Sequence, residues 1–131
     1  VTADETSDHV MHHEWCELSP TVAKSLSSAR ALGGRVVAVG TTVVRTLESA
    51  AAFSGEVYPR DGFTGSTNLF IVPPYPYRAV DALITNFHLP KSTLLMLVAA
   101  FADTEFVLDV YREAVRQEYR FYSYGDAMLI L

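Results

Sequence analysis

The chain has 131 residues, half of them hydrophobic and 19% charged, with a formal net charge of −5. This composition supports a hydrophobic core and excludes a disordered chain. The acidic balance argues against nonspecific nucleic-acid binding, which rests on basic surface, while leaving room for a local basic patch.

A single cysteine, Cys16, rules out an internal disulfide and suits a reducing, cytoplasmic setting. The first eight residues are polar and acidic, so no signal peptide is expected there. The longest apolar run, Leu94 to Ala102, is far shorter than the roughly 20 residues that span a bilayer.

The first predicted element is a strand over residues 9–18. It places Val10, His12, Glu14 and Cys16 on one side and His9, Met11, His13, Trp15 and Glu17 on the other. His12 and Glu14, two apart on one face, suit an acid–base or orienting pair; two hydrogen-bonded strand residues is the plainer reading. His9, His12 and His13 invite a metal, but the spacing is not HExxH and Cys16 has no partner thiol, so no metal is expected. Ser19 and Pro20 then open a helix as N-cap and first residue. Its buried stripe is Val22, Ala23, Leu26, Ala29 and Leu32, and Gly33 or Gly34 ends it.

A β-branched strand follows over residues 35–39, then Gly40, Thr41 and Thr42, then a helix over residues 43–53. Thr41 and Thr42 can cap that helix. Arg45 sits near its start, where the helix dipole disfavours a cation, so an anionic partner explains it better than helix stability does. A solvated Arg45, or one paired with Glu48, is the alternative. Residues 54–66, with three glycines and a proline, read as a loop, and residues 67–72 as a strand. Three prolines stiffen the turn over residues 73–77.

The stretch from Asp81 to Phe101 is the most informative. An apolar strand enters a turn holding Thr85, Asn86, His88, Lys91, Ser92 and Thr93, and a helix apolar nearly all round leaves it. Such a turn lies at the carboxyl end of a strand, where α/β sheets bind ligands. The helix N-terminus can receive a carboxylate or phosphate. Asp81 is either paired or turned to solvent. Asp103 or Thr104 starts a last helix with a stripe of Phe106, Val107, Val110, Tyr111, Ala114 and Val115. Strand alternation over residues 119–124 groups Arg120, Tyr122 and Tyr124, an arrangement able to stack a base, with Gly125 and Asp126 as a turn. The alternation of elements predicts an α/β fold with a mainly parallel sheet flanked by helices.

Four stretches resemble one family closely. They are His9-Val-Met-His-His-Glu-Trp, Gly34-Arg-Val-Val-Ala-Val-Gly-Thr-Thr42 with Arg45-Thr-Leu-Glu-Ser49, the run from Val80 through Thr-Asn-Phe-His-Leu-Pro-Lys-Ser-Thr to Val98, and Tyr119-Arg-Phe-Tyr-Ser-Tyr-Gly-Asp-Ala-Met128. Together they resemble the carboxyl-terminal part of the S-adenosylmethionine:tRNA ribosyltransferase-isomerase family of queuosine biosynthesis. Only residues 54–66 are unmatched. Pro74 stands where the family typically has Gly, and Val43 where it typically has Ser.

The resemblance implies a single α/β domain fragment over residues 1–131, part of a larger barrel-like domain of a longer enzyme. It implies a transferase that moves the ribosyl part of S-adenosylmethionine onto 7-aminomethyl-7-deazaguanine in tRNA and isomerises it, releasing adenine and methionine. S-adenosylmethionine and precursor-bearing tRNA are the partners, in the cytoplasm, with a monomer expected. By matched position, His12, Glu14 and His88 are the acid–base candidates. Thr41, Thr42, Arg45, Ser92 and Thr93 form an anion and substrate cradle, and Asn86, Arg120, Tyr124 and Asp126 contact base or ribose. The fragment alone is expected to be inactive. Two rival readings are a non-catalytic nucleotide- or tRNA-binding α/β module and a metal-dependent hydrolase built on His9, His12 and His13.

Overall fold

The computed structural model describes residues 14–67, 69, 71, 75–87, 93–102, 104–120 and 126–131. The elements run β1 (Glu14–Leu18), α1 (Pro20–Ala31), β2 (Val37–Val39), α2 (Thr41–Ser54), β3 (Phe63–Thr67), β4 (Ala82–Asn86), α3 (Thr93–Phe101), α4 (Thr104–Arg116) and β5 (Ala127–Ile130). The result is a mixed α/β fold with two sheets. β1 and β3 form an antiparallel pair, and β4 lies between a parallel β2 and an antiparallel β5. Among the described residues one of the three strand pairings is therefore parallel, and the expected mainly parallel sheet is not what these strands form. Element order cannot reveal this, because the loop after α2 returns to pair with β1 rather than crossing over to extend the sheet.

Local chemistry accounts for the element ends. The Ser19 hydroxyl accepts from the Val22 N–H at 3.2 Å, and Pro20 occupies the first helical turn of α1. Gly33, at φ 85°, closes that helix, and the Gly34 N–H donates to the Ala29 carbonyl at 2.9 Å. α2 starts at Thr41 rather than Val43, so its N-cap is Gly40, at φ 97° and without a side-chain cap, and not Thr41 or Thr42. Gly62, at φ 78°, turns the chain into β3 so close to β1 that a Cβ there would collide with the Leu18 carbonyl oxygen. β3 therefore begins inside the stretch that reads as a loop.

The core joins both layers. Ala38 of β2 and Leu83 of β4 pack with Val44 and Leu47 of α2, Leu95 and Val98 of α3, and Val107, Tyr111 and Ala114 of α4. The described side chains of α3 are buried or nearly so, as its composition predicts. Two predicted stripes are narrower than expected. In α1 Ala23 is buried and Leu26 partly so, whereas Val22 and Leu32 are exposed. In α4 the seam is Val107, Val110, Tyr111 and Ala114, with Phe106 and Val115 turned outward. A helix on one side of a core buries about one stripe at i, i+3, i+4, i+7 and leaves flanking apolar residues in water.

Two carboxylates, Glu48 buried and Asp81 partly so, tie the layers. Glu48 of α2, fully buried, accepts from the backbone N–H groups of Arg78 (3.1 Å) and Ala79 (2.8 Å) and from the Tyr75 hydroxyl (3.4 Å). Burial, reinforced by the Glu48 charge, pushes Tyr75 up to about 12. Asp81 is paired: it accepts from Arg30 Nη2 at 2.6 Å and from the Val36 N–H at 2.8 Å. Burial alone would raise its pKa, but the Arg30 and Val36 hydrogen bonds outweigh it and hold the carboxyl below its usual range. Among the described residues no helix is long and apolar enough to cross a membrane.

Candidate functional site

Because β2 and β4 run parallel, their carboxyl ends, Val39 and Asn86, lie at one edge of the sheet. β5 runs the other way and begins at that edge, with Ala127 opposite Asn86. The edge therefore carries Gly40 and Thr41 after β2, Asn86 and Phe87 after β4, and Asp126 before β5. The Gly40 N–H donates to the Ile84 carbonyl at 2.8 Å, which locks the start of α2 against β4. The Phe87 ring meets Tyr111 and Tyr119 edge-on, at centroid distances of 5.4 and 5.7 Å. That contact brings residues 119 and 120 to the same edge. β2 and β5 flank β4, so roughly 10 Å separates the α2 end of the edge from the Arg120 end.

Arg120 and Asp126 form a local clasp there. The Arg120 backbone N–H donates to Asp126 Oδ2 at 2.6 Å and its Nε to the same oxygen at 3.4 Å. The backbone hydrogen bond, helped by the side chain, holds the Asp126 carboxyl below its usual range. Residues 119 and 120 are not in a strand, and β5 spans Ala127–Ile130; residues 121–125 lie outside the described residues. Glu118, at φ 60°, ends the turn after α4 and takes the chain out of helical register before Arg120.

At the other end of the edge, Thr41 is half-buried and Thr42 exposed, its carbonyl accepting from the Thr46 hydroxyl at 2.8 Å. Arg45 lies one turn beyond Thr41 on the same helix face and is buried, with a side chain 9% exposed. Its Nη1 makes an ion pair with Glu14 of β1, not with Glu48. Its Nε and Nη2 are shut off from water and find no acceptor among the described residues. Burial pushes the guanidinium pKa down. The arrangement brings Glu14, Thr41 and Arg45 into one corner, and Asn86, Arg120 and Asp126 onto the edge beside it. His12, His88, Ser92 and Tyr124 lie outside the described residues, as do His9, His13 and Pro74; Thr93 is the first residue of α3.

The comparisons with known proteins bear on the whole chain. Residues 1–130 match the model of a family described as queuosine biosynthesis protein. The chain belongs to that family. It is 56% identical over 131 residues to the S-adenosylmethionine:tRNA ribosyltransferase-isomerase of Moorella thermoacetica, covering all of this chain and 37% of that one. It is 59% identical over 123 residues to the protein of the same name from Xylella fastidiosa, covering 94% of this chain and 34% of that one. A crystal structure titled S-adenosylmethionine tRNA ribosyltransferase, from Thermotoga maritima, superposes with a TM-score of 0.83 at 53% identity, covering 89% of this chain and 40% of that one. The chain thus spans a little over a third of the length of these queuosine-family relatives.

Within this family chain, one pair of polar residues escaped the sequence reading. The Ser49 and Thr67 hydroxyls share a hydrogen bond of 2.8 Å, both residues being buried, and Thr67 stands opposite Glu14 in the β1–β3 ladder. The signal was present: Thr41, Arg45, Glu48 and Ser49 fall at i, i+4, i+7 and i+8, a polar stripe on the face an α-helix normally buries. Val43 is 41% exposed and stands off this stripe. An open cleft of about 1200 Å³ lies at the far end of α2 between α1 and residues 54–62, and among the described residues no candidate site residue lines it.

Proposed function

We propose that this chain is the carboxyl-terminal part of an enzyme that transfers the ribosyl moiety of S-adenosylmethionine to 7-aminomethyl-7-deazaguanine in tRNA. The ribosyl group is isomerised to give epoxyqueuosine-tRNA, with release of adenine and methionine. The observation that carries this reading is the 56% identity along the entire chain to a relative bearing that name. The chain then forms one α/β unit within a larger barrel-like domain, in a monomeric cytoplasmic enzyme that uses S-adenosylmethionine as substrate and no metal.

The chemistry assigns roles to the edge. Removing an acidic ribose proton next to the sulfonium needs a base, and departure of adenine needs an acid. His12 and His88 take these roles, with Glu14 as the orienting carboxylate. Thr41, Thr42, Arg45, Ser92 and Thr93 hold the charged end of S-adenosylmethionine; hydroxyls and N–H groups at the starts of α2 and α3 are the donors a carboxylate needs. Asn86, Arg120, Tyr124 and Asp126 face the deazaguanine and its ribose.

The test is adenine release by the full-length protein from S-adenosylmethionine and tRNA carrying the precursor base. Turnover that disappears with His88→Ala supports the reading. No adenine release, together with stoichiometric zinc in the purified protein, favours a metal-dependent hydrolase; tRNA binding without turnover favours a binding module.

A further inference from the structure

The guanidinium of Arg45 is the least satisfied charged group among the described residues. Its side chain is 9% exposed, and its hydrogen-bonding is lopsided. Nη1 is engaged by Glu14, while Nε and Nη2 are screened from water without an acceptor among the described residues. Those two nitrogens are not an arbitrary pair. In a guanidinium, Nε–H and the N–H of Nη2 point the same way and form the parallel fork that matches the two oxygens of a carboxylate. A fork held dry and empty costs free energy unless something fills it.

Among the described residues nothing substitutes. Glu48, one turn further along α2, is taken up by Arg78, Ala79 and Tyr75. Ser49 and Thr67 satisfy each other. Glu14, the one anion in contact among the described residues, has a side chain 48% exposed, so it lies at the rim and holds the guanidinium from one side. Thr41, a turn before Arg45 on the same helix face, adds a hydroxyl at the start of α2.

We propose that the Nε–Nη2 fork of Arg45 receives the carboxylate of the methionyl part of S-adenosylmethionine, and that Glu14 is the positioning residue that holds the fork in place. This rests on the function proposed above and deepens it by assigning one end of one substrate to one side chain. A carboxylate suits the fork better than a backbone phosphate of tRNA. Arg45 lies where α2 packs on the β1–β3 pair and its Nε and Nη2 are screened from water, a placement that suits one small carboxylate better than a polyanionic strand.

The experiment pairs the side chain with the group it is said to bind. Adenine release by the full-length protein on precursor-bearing tRNA is measured with S-adenosylmethionine and with its decarboxylated analogue, for wild type, Arg45→Gln, Arg45→Lys and Glu14→Gln. In wild type, loss of the carboxylate raises KM about a hundredfold. Arg45→Gln raises KM for S-adenosylmethionine by a similar factor, yet changes KM for the analogue less than about threefold, because the partner is already gone. Arg45→Lys, which keeps the charge and loses the fork, recovers only part of the loss. Glu14→Gln raises KM about tenfold more for S-adenosylmethionine than for the analogue. KM for tRNA stays unchanged throughout.

Equal losses with both substrates, or a change confined to the KM for tRNA, would overturn the assignment. If Arg45→Gln does not fold, wild type alone decides: discrimination below about threefold between the two substrates refutes the inference. A wild-type protein that releases no adenine from S-adenosylmethionine sinks the proposed function and this inference with it. Turnover without coupling sinks this inference alone.

Discussion

Replacing Glu48 tests whether a buried charge can be a hinge pin between α2 and the segment leading into β4. Glu48 is fully buried and its carboxylate serves three donors: the Arg78 and Ala79 N–H groups at 3.1 and 2.8 Å and the Tyr75 hydroxyl at 3.4 Å. Glu48→Ala removes every acceptor at once. An orphaned buried donor costs roughly 1–3 kcal/mol, and here two backbone N–H groups are orphaned, one of them belonging to fully buried Ala79. Allowing water to reach the more exposed Arg78 side of the gap, the loss comes to about 3 kcal/mol, or a little over a hundredfold in the folding equilibrium. Glu48→Gln keeps one acceptor oxygen and loses about half as much. Urea unfolding of the full-length protein followed by fluorescence reads both variants.

A second reading of the same variants separates the charge from the packing. The Glu48 charge adds to burial in raising Tyr75 to about 12, so in Glu48→Gln the Tyr75 hydroxyl titrates at lower pH. The tyrosinate absorbance difference between each protein and its Tyr75→Phe version isolates that one group. A Glu48→Ala variant within about 1 kcal/mol of wild type, with Tyr75 unmoved in Glu48→Gln, would refute the reasoning.

Further expectations follow from single positions. Gly62→Ala combines a left-handed φ of 78° with a Cβ that meets the Leu18 carbonyl oxygen and sits 3.0 Å from Pro20 Cδ. It is expected to lower stability by at least about 2 kcal/mol, seen as a fall in Tm. Asp81 has a folded pKa below its ordinary 3.8. Its contribution is therefore fully present above the unfolded value and is lost as pH falls through the folded one. Asp81→Asn should be less stable than wild type at neutral pH and should show a shallower acid limb below about pH 4. Ser49→Ala leaves Thr67 still accepting from the Leu69 N–H at 3.1 Å, so it should cost only about 1 kcal/mol by urea unfolding.

How far the fold could be read from the chain depended on whether the cause was local. Ser19 and Pro20 announced α1, and the apolar run after Thr93 announced α3, because caps and composition act within a few residues. The start of α2 was read two residues late, at Val43, because Thr41 and Thr42 look like caps while the actual N-cap, Gly40, has no side chain to signal it. β3 was hidden, because Phe63-Thr-Gly-Ser-Thr67 carries no strong strand pattern and is held by its backbone ladder to β1. Sheet direction was hidden as well: nothing in β5 itself says that it lies antiparallel to β4.

The site divides in the same way. The resemblance singled out Thr41, Arg45, Asn86, Arg120 and Asp126 as positions that matter. That the residues after β2, after β4 and before β5 share an edge follows from strand register, which no short motif encodes. The anionic partner expected for Arg45 exists, but it is Glu14, 31 residues upstream, and charge alone could not choose it over Glu48, three residues away. Residues 119 and 120, expected in a strand, lie outside one: they follow the positive φ at Glu118, and the Arg120 N–H donates to the Asp126 carboxylate.

The central claim is that chemistry takes place at the edge where β2 and β4 end, not in the open cleft beside α1. Adenine release by full-length protein carrying Asn86→Ala or Arg120→Ala, set against Lys24→Ala and Arg60→Ala in the cleft, tests it most directly. The account predicts kcat/KM down about a hundredfold or more for the edge variants and unchanged within about threefold for the cleft variants. Full activity with the edge altered, and loss with the cleft altered, would contradict it.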